Sequence, residues 1–176
     1  GAVGHVERFN PALLRLREKT QAGDLGQVFL IATERIGPFP DRIRDVGVIM
    51  DLATHDLDLV RWLGGAPVER LTAETQHRMG REHEDLLLAT GRLENAISFN
   101  CVVDWLPPTK VRQTRVLGER GMLVALGTDN VMLCGPDLLR ELEYGSRVVR
   151  ALRTSATYPS ARQLLRGTAE IHLSPK

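Results

Sequence analysis

Asp51 and His55 stand four residues apart in a stretch of helical periodicity, Gly47–Leu63. On a helix, side chains at i and i+4 meet on one face. A carboxylate beside an imidazole fixes its tautomer and raises its basicity. Such a pair can take a proton from a hydroxyl or return one. Asp56 and Asp58 follow closely, and Asp58 is placed to reach His55 from the other side. The same spacing also fits a plain polar contact on a helix surface. A metal site needs a third and a fourth ligand. His5, His77 and His83 are available for that, but no spacing recruits them, so no metal site is expected.

A second group of candidates lies just before this stretch. Arg35, Arg42 and Arg44 fall in a segment, Arg35–Val46, that also holds Gly37, Pro38 and Pro40. Arginines in a loop can grip a phosphate or carboxylate by paired hydrogen bonds. Asp41 and Asp45 offer the competing reading, surface ion pairs. No Gly-rich phosphate loop follows a strand. Gly1-Ala2-Val3-Gly4 comes too early for a dinucleotide fingerprint, which needs a strand before it.

The elements that would hold these residues follow from periodicity. Gly1–Val6 reads as the end of a strand. Asn10-Pro11 starts a helix, since Asn caps and Pro suits the first helical position. That helix runs to about Ala22, where Gly23 stops it. Gln27–Glu34 is apolar on both faces and reads as a covered strand. In Gly47–Leu63, the residues Val48, Leu52, Leu59 and Leu63 share a face, while Asp51, His55, Asp58 and Trp62 form a separate stripe. Gly64-Gly65 ends the helix.

From Pro67 the period becomes two. Strands are expected at Val68–Arg78, Asp85–Leu93, Ala96–Trp105, Lys110–Leu117, Met122–Leu126 and Val131–Cys134. In the third, Ile97, Phe99, Cys101, Val103 and Trp105 point one way. Glu94-Asn95 and Gly118–Gly121 are hairpin turns, which force antiparallel neighbours. Asp137–Leu152 reads as a helix, and residues 153–176 fit no regular element. The order predicts an α+β domain: an open, largely antiparallel sheet of about six strands with helices on one face. Residues 11–152 form that domain. Apolar residues on both faces of several strands predict a partner subunit against the open face, in a homodimer or tetramer.

Composition sets outer bounds. The chain has 176 residues, 43% hydrophobic and 26% charged, with a formal net charge of +1. That balance gives no electrostatic case for nucleic acid or a membrane surface. Two cysteines, Cys101 and Cys134, cannot build a disulfide framework, and both lie in apolar runs that suit buried thiols. Without a signal peptide or a long apolar span, a cytoplasmic protein is the default expectation.

Several of these segments together resemble a known family. They are Val3-Gly4-His5-Val6-Glu7-Arg8-Phe9-Asn10-Pro11, Gly26, Arg35-x-Gly37-Pro38, and Asp45-Val46-Gly47-Val48-Ile49-Met50-Asp51-Leu52-Ala53-Thr54-His55-Asp56-Leu57-Asp58. They look like the glucose–fructose oxidoreductase / inositol dehydrogenase (Gfo/Idh/MocA) family. The Arg-Phe-Asn-Pro segment and the Gly-Pro-Phe-Pro-x-Arg-Ile-x-Asp loop resemble its UDP-N-acetylglucosamine 3-dehydrogenase branch.

The resemblance implies a two-domain enzyme, with a Rossmann domain for NAD or NADP and an α+β domain for substrate and self-association. On this reading, residues 1–10 are the remnant of the last Rossmann strand and a linker, and the Rossmann domain itself is absent. His55 matches the histidine that handles the proton of the reacting hydroxyl, and Asp51 the aspartate that contacts substrate. Arg35, Arg42 and Asp58 are expected to touch a sugar or sugar nucleotide, and Arg8 and Asn10 the cofactor. The chain alone is then expected to bind no NAD(P) and to be inactive. The rival readings are a non-catalytic sugar-binding or oligomerisation module, and a metal-dependent isomerase or aldolase.

Overall fold

The fold is that of a computed structural model. It describes residues 4–127 and 130–134, within the first of the two units, Gly1–Pro136 and Asp137–Lys176, into which the chain divides. The helix expected at Asp137–Leu152, the irregular segment 153–176 and the side chain of Cys134 lie outside the described residues.

A 3₁₀ turn at Val6–Phe9 leads into helix α1, Pro11–Gln21. Of the strand expected at Gly1–Val6, residues 1–3 lie outside the described residues, and its end is corrected: Val6 opens a turn of helix. Asn10 caps α1, its side chain accepting from the Ala12 amide at 3.0 Å, and Pro11 takes the first helical position. Ala12, Leu13 and Leu16 face the core. Gly23, at φ +80°, turns the chain away in a conformation an L side chain resists.

Strand β1, Val28–Ile36, runs two residues further than the apolar pattern suggested. Arg35 therefore belongs to a strand and not to the loop that follows. Beyond that loop, a π turn at Ile49–Ala53 passes directly into helix α2, Thr54–Gly64. Gly65, at φ +69°, closes it. Gly64 lies flat against Leu93 and Ile31, where a Cβ would collide.

Strands β2 (Val68–Gln76), β3 (Leu86–Leu93), β4 (Ser98–Asp104), β5 (Val111–Gly118), β6 (Gly121–Leu126) and β7 (Asn130–Cys134) complete one seven-stranded sheet. The order is β2-β3-β4-β1-β5-β6-β7. All pairings are antiparallel except β1 with β4. That parallel pair follows from inserting β1 beside a later strand, so the sheet is mixed. Each hairpin from β2 onward joins neighbours, as short connections require; β4 and β5 alone are separated, by β1.

Both helices pack on one face. Ile97, Phe99, Cys101, Val103 and Trp105 all point there and are buried. Ile31, Leu87, Ala89, Val116 and Leu123 join them, with Leu59, Val60 and Leu63 from α2 above. Burial removes the Cys101 thiol from water and pushes its pKa up to about 12. Among the described residues, no helix covers the other face. Leu88, Leu117 and Leu126 are exposed there, 36–41% each. Among the described residues, no helix is long and apolar enough to cross a membrane.

Candidate active site and the charged network beneath it

Helix α2 enters the site through its π turn. Val48 and Ile49 would leave amides unpaired at the start of a helix. Glu84, from the β2–β3 connection, meets both: its carbonyl accepts from Val48 N at 3.0 Å and its carboxylate from Ile49 N at 3.0 Å. Gly47 lets that carboxylate come close, since a Cβ there would overlap it. The Thr54 amide donates back to the Ile49 carbonyl, five residues earlier, which closes the wide turn.

This turn changes the geometry around Asp51 and His55. Asp51 lies inside the π turn and His55 in the first turn of α2. Both are half-buried. No hydrogen bond or ion pair joins them, and the buried Nδ1 of His55 has no partner among the described residues. The expected direct Asp51–His55 contact is therefore not made. The expected approach of Asp58 to His55 is also corrected. Arg8 takes both Asp58 oxygens, Nε to Oδ2 at 2.8 Å and Nη2 to Oδ1 at 2.5 Å, and His5 Nδ1 stands 3.5 Å from Oδ2. Burial pushes the Asp58 carboxyl up, but Arg8 and His5 outweigh it and hold the group below its ordinary 3.8.

Beneath His55 lies a buried ionic cluster. Arg35 Nε donates to Asp56 Oδ2 at 2.8 Å and Nη2 to Asp56 Oδ1 at 3.4 Å. Its third nitrogen, Nη1, donates to Glu7 Oε1 at 2.7 Å. Arg35 and Asp56 are 6% and 2% exposed, which puts the pair inside the core boundary. Arg112, opposite Arg35 in the β1–β5 register, reaches the same Glu7 oxygen at 3.4 Å. Burial pushes the Glu7 carboxyl up, but Arg35 and Arg112 more than offset it and leave the group below its ordinary 4.5. Burial and the neighbouring Arg35 lower the Arg112 guanidinium's affinity for its proton.

The expected binding residues thus divide. Arg35 and Asp58 are committed to internal partners. Arg8 is spent on Asp58, and Asn10 on the α1 cap. Arg42 and Arg44 are exposed in the loop and make no ion pair with Asp41 or Asp45. Among the described residues, no group of three or more His, Cys, Asp or Glu side chains is placed to hold a metal. Sequence reasoning missed Glu7, Glu84 and Arg112. Glu7 stood inside a noted segment and Asp56 directly after His55, but nothing in their spacing showed that Arg35 joins them.

With this geometry in view, comparisons place the chain among known proteins. Residues 13–124 match the family model described as the GFO/IDH/MocA C-terminal domain. A myo-inositol dehydrogenase from Streptomyces leeuwenhoekii is 34% identical over 131 residues, covering 69% of this chain and 40% of that protein. A UDP-N-acetylglucosamine 3-dehydrogenase from Acidithiobacillus ferrooxidans is 48% identical over 69 residues, covering 39% of this chain and 21% of that protein. The chain thus spans less than half the length of these curated relatives. Among solved structures, a putative oxidoreductase from Thermotoga maritima superposes with a TM-score of 0.68 at 21% identity, covering 80% of this chain and 52% of the other. The WlbA dehydrogenase from Bordetella pertussis, solved with NADH and UDP-GlcNAcA, does so with a TM-score of 0.65 at 24% identity, covering 83% and 51%. These two show a shared fold. The family match, over more than half of the chain, shows membership: the chain belongs to the GFO/IDH/MocA C-terminal domain family.

Proposed function

We propose that this chain is the substrate-binding half of an NAD(P)-dependent oxidoreductase acting on a secondary hydroxyl of a sugar or sugar nucleotide, with His55 as the general acid/base. The observation that carries this reading is the pairing of family membership with His55 itself. It is half-buried in the first turn of α2, and its enclosed Nδ1 has no partner among the described residues, which leaves Nε2 as the nitrogen to meet a hydroxyl. An imidazole so placed can take a hydroxyl proton as the carbon is oxidised and return it in reduction. Asp51, which makes no ion pair among the described residues, is the nearby carboxylate for a substrate hydroxyl. The exposed Arg42 and Arg44 are candidates for an anionic part of the substrate, such as a diphosphate or a carboxylate. Relatives named as an inositol dehydrogenase and a UDP-N-acetylglucosamine dehydrogenase support the substrate class. The nicotinamide supplies the hydride chemistry and must be held by residues other than those described here.

The site test is an NMR titration of the isotopically labelled chain with myo-inositol and with UDP-N-acetylglucosamine. Saturable perturbations at Asp51, His55 and the 37–47 loop are expected for at least one of them. Perturbations confined to other surfaces would sink the assignment. In calorimetry, NAD(H) is expected to give no binding heat, and stoichiometric binding would overturn the view that the cofactor is held elsewhere. A non-catalytic sugar-binding module predicts the same titration, but activity would not return when a cofactor domain of the family is supplied.

The open face of the sheet suits self-association. Leu88, Leu117 and Leu126 leave an apolar surface there that a second copy would cover. Sedimentation is expected to show a dimer or tetramer, and a Leu117→Lys variant to shift it toward monomer. A wild type that stays monomeric at micromolar concentration would refute this.

A further inference from the structure

The π turn before His55 is clamped at both ends. Before it, Glu84 binds the Val48 and Ile49 amides. After it, Asp56 is held by two nitrogens of Arg35. A π turn is an uncommon backbone state that sits close to ordinary α-helix, so its register needs outside support. Arg35 provides that support from a strand at the centre of the sheet. Its guanidinium is planar and rigid, and its bonds to Asp56 fix where that side chain sits. Asp56 is the next residue after His55, so fixing it fixes the rotation of the helix at His55. The third nitrogen of Arg35 is anchored by Glu7, in the Val6–Phe9 turn.

We propose that Arg35 is a positioning residue for His55, acting through Asp56 and anchored by Glu7, so that the 3₁₀ turn at Val6–Phe9 and the His55 helix hold one another in place. Arg35 is then not a substrate contact. Its role is to couple a remote segment to the imidazole, and any displacement of the Val6–Phe9 turn reaches His55 through two charge-assisted links. The catalytic consequence rests on His55 being the acid/base proposed above, but the mechanical claim does not.

Burial makes this use of charge costly. A buried ion pair is often no more stabilising than well-packed apolar residues of the same volume. A guanidinium and two carboxyl groups beneath one helix are therefore poorly explained by stability alone, and a fixed geometry explains them better. Lysine offers a compact ammonium on a flexible stem and lacks the rigid planar fork that fixes Asp56 and Glu7 in one geometry.

The test follows two signals in the full chain by NMR: the His55 ring resonances, and amide hydrogen exchange along residues 54–57. No hydrogen bond or ion pair joins residue 7 to His55. Glu7→Gln is nevertheless expected to move the His55 ring resonances and to speed exchange at residues 54–57 by tenfold or more. Arg35→Lys is expected to do the same, and the Glu7→Gln/Arg35→Lys pair to add little beyond Arg35→Lys alone. Arg92→Gln, which breaks a surface pair, should leave both signals as in wild type. The proposal is overturned if His55 is unchanged in a folded Glu7→Gln chain. It is equally overturned if exchange rises evenly over all elements, which is what a merely stabilising pair would give. Should Arg35→Lys fail to fold, Glu7→Gln alone decides. No substrate enters this experiment, so its failure is separate from failure of the sugar titration.

Discussion

Two arginine–carboxylate pairs with nearly the same geometry sit in very different parts of this molecule. Arg35 holds Asp56 beneath helix α2, and Arg92 holds Glu69 across β2 and β3. Each has an Nε–oxygen distance of 2.8 Å and a second, longer bond. The side chains of the first pair are 8% and 2% exposed, those of the second 43% and 42%. Water screens the second pair and offers both ions an alternative partner. In the first pair Asp56 has no such alternative, so losing Arg35 strands it in the core. Equal distances therefore do not mean equal consequences, and depth decides.

The sharpest way to break this contrast is Arg35→Met. It leaves Asp56 buried without its main partner and should cost about 3–5 kcal/mol in urea or guanidinium unfolding. A cost under about 1 kcal/mol would place the pair in the same class as a surface bridge. The double replacement Arg35→Met/Asp56→Leu should recover much of that loss, because both charges leave together. It should not restore the wild-type His55 resonances, and that separates stability from positioning.

Acid should expose the same hierarchy. Glu7 and Asp58 have carboxyl groups held below their ordinary values of 4.5 and 3.8. A group whose folded value is depressed contributes stability that is complete above its ordinary value. The contribution is lost as pH falls through the folded value. Asp56 works the other way: burial outweighs Arg35 and holds its carboxyl above its ordinary 3.8, a penalty that eases on acidification. The Glu7 and Asp58 contributions by themselves are constant from neutral pH down to the ordinary carboxylate range and are lost below it. Arg8→Gln should soften the acid fall by removing the cation that lowers Asp58. A wild-type midpoint no more acid-sensitive than that of Arg8→Gln would contradict the sign of the Asp58 shift. The smallest effect belongs to the surface pair: Arg92→Gln is expected to leave the thermal midpoint unchanged within error.

The strands from Val68 to Leu126 were readable because half-buried strands alternate, and each hairpin is set by local turn residues. The helix starting at Asn10-Pro11 was readable for the same reason, since a cap is a local event. Reading failed where the decisive partner is distant in the chain. Arg35 looked like a loop residue beside Gly37 and Pro38, and only β4 and β5 on either side make it a strand residue. The π turn escaped because its wide spacing is held by Glu84, thirty-odd residues later. Asp58 was assigned to His55 from helical spacing, yet Arg8 takes it from fifty residues away.

The amino-acid sequence by itself determined the family, the two-layer α+β architecture and the presence of Asp51 and His55 at the head of one helix. These depend on periodicity, caps and short motifs, all of which act over a few residues. Tertiary structure alone decided which charges meet. Asp51 and His55 stay apart, Asp58 goes to Arg8, and Arg35 lies in the core between Asp56 and Glu7. An ion pair is set by where two elements pack and how much water they exclude, and neither is written in the spacing of one element.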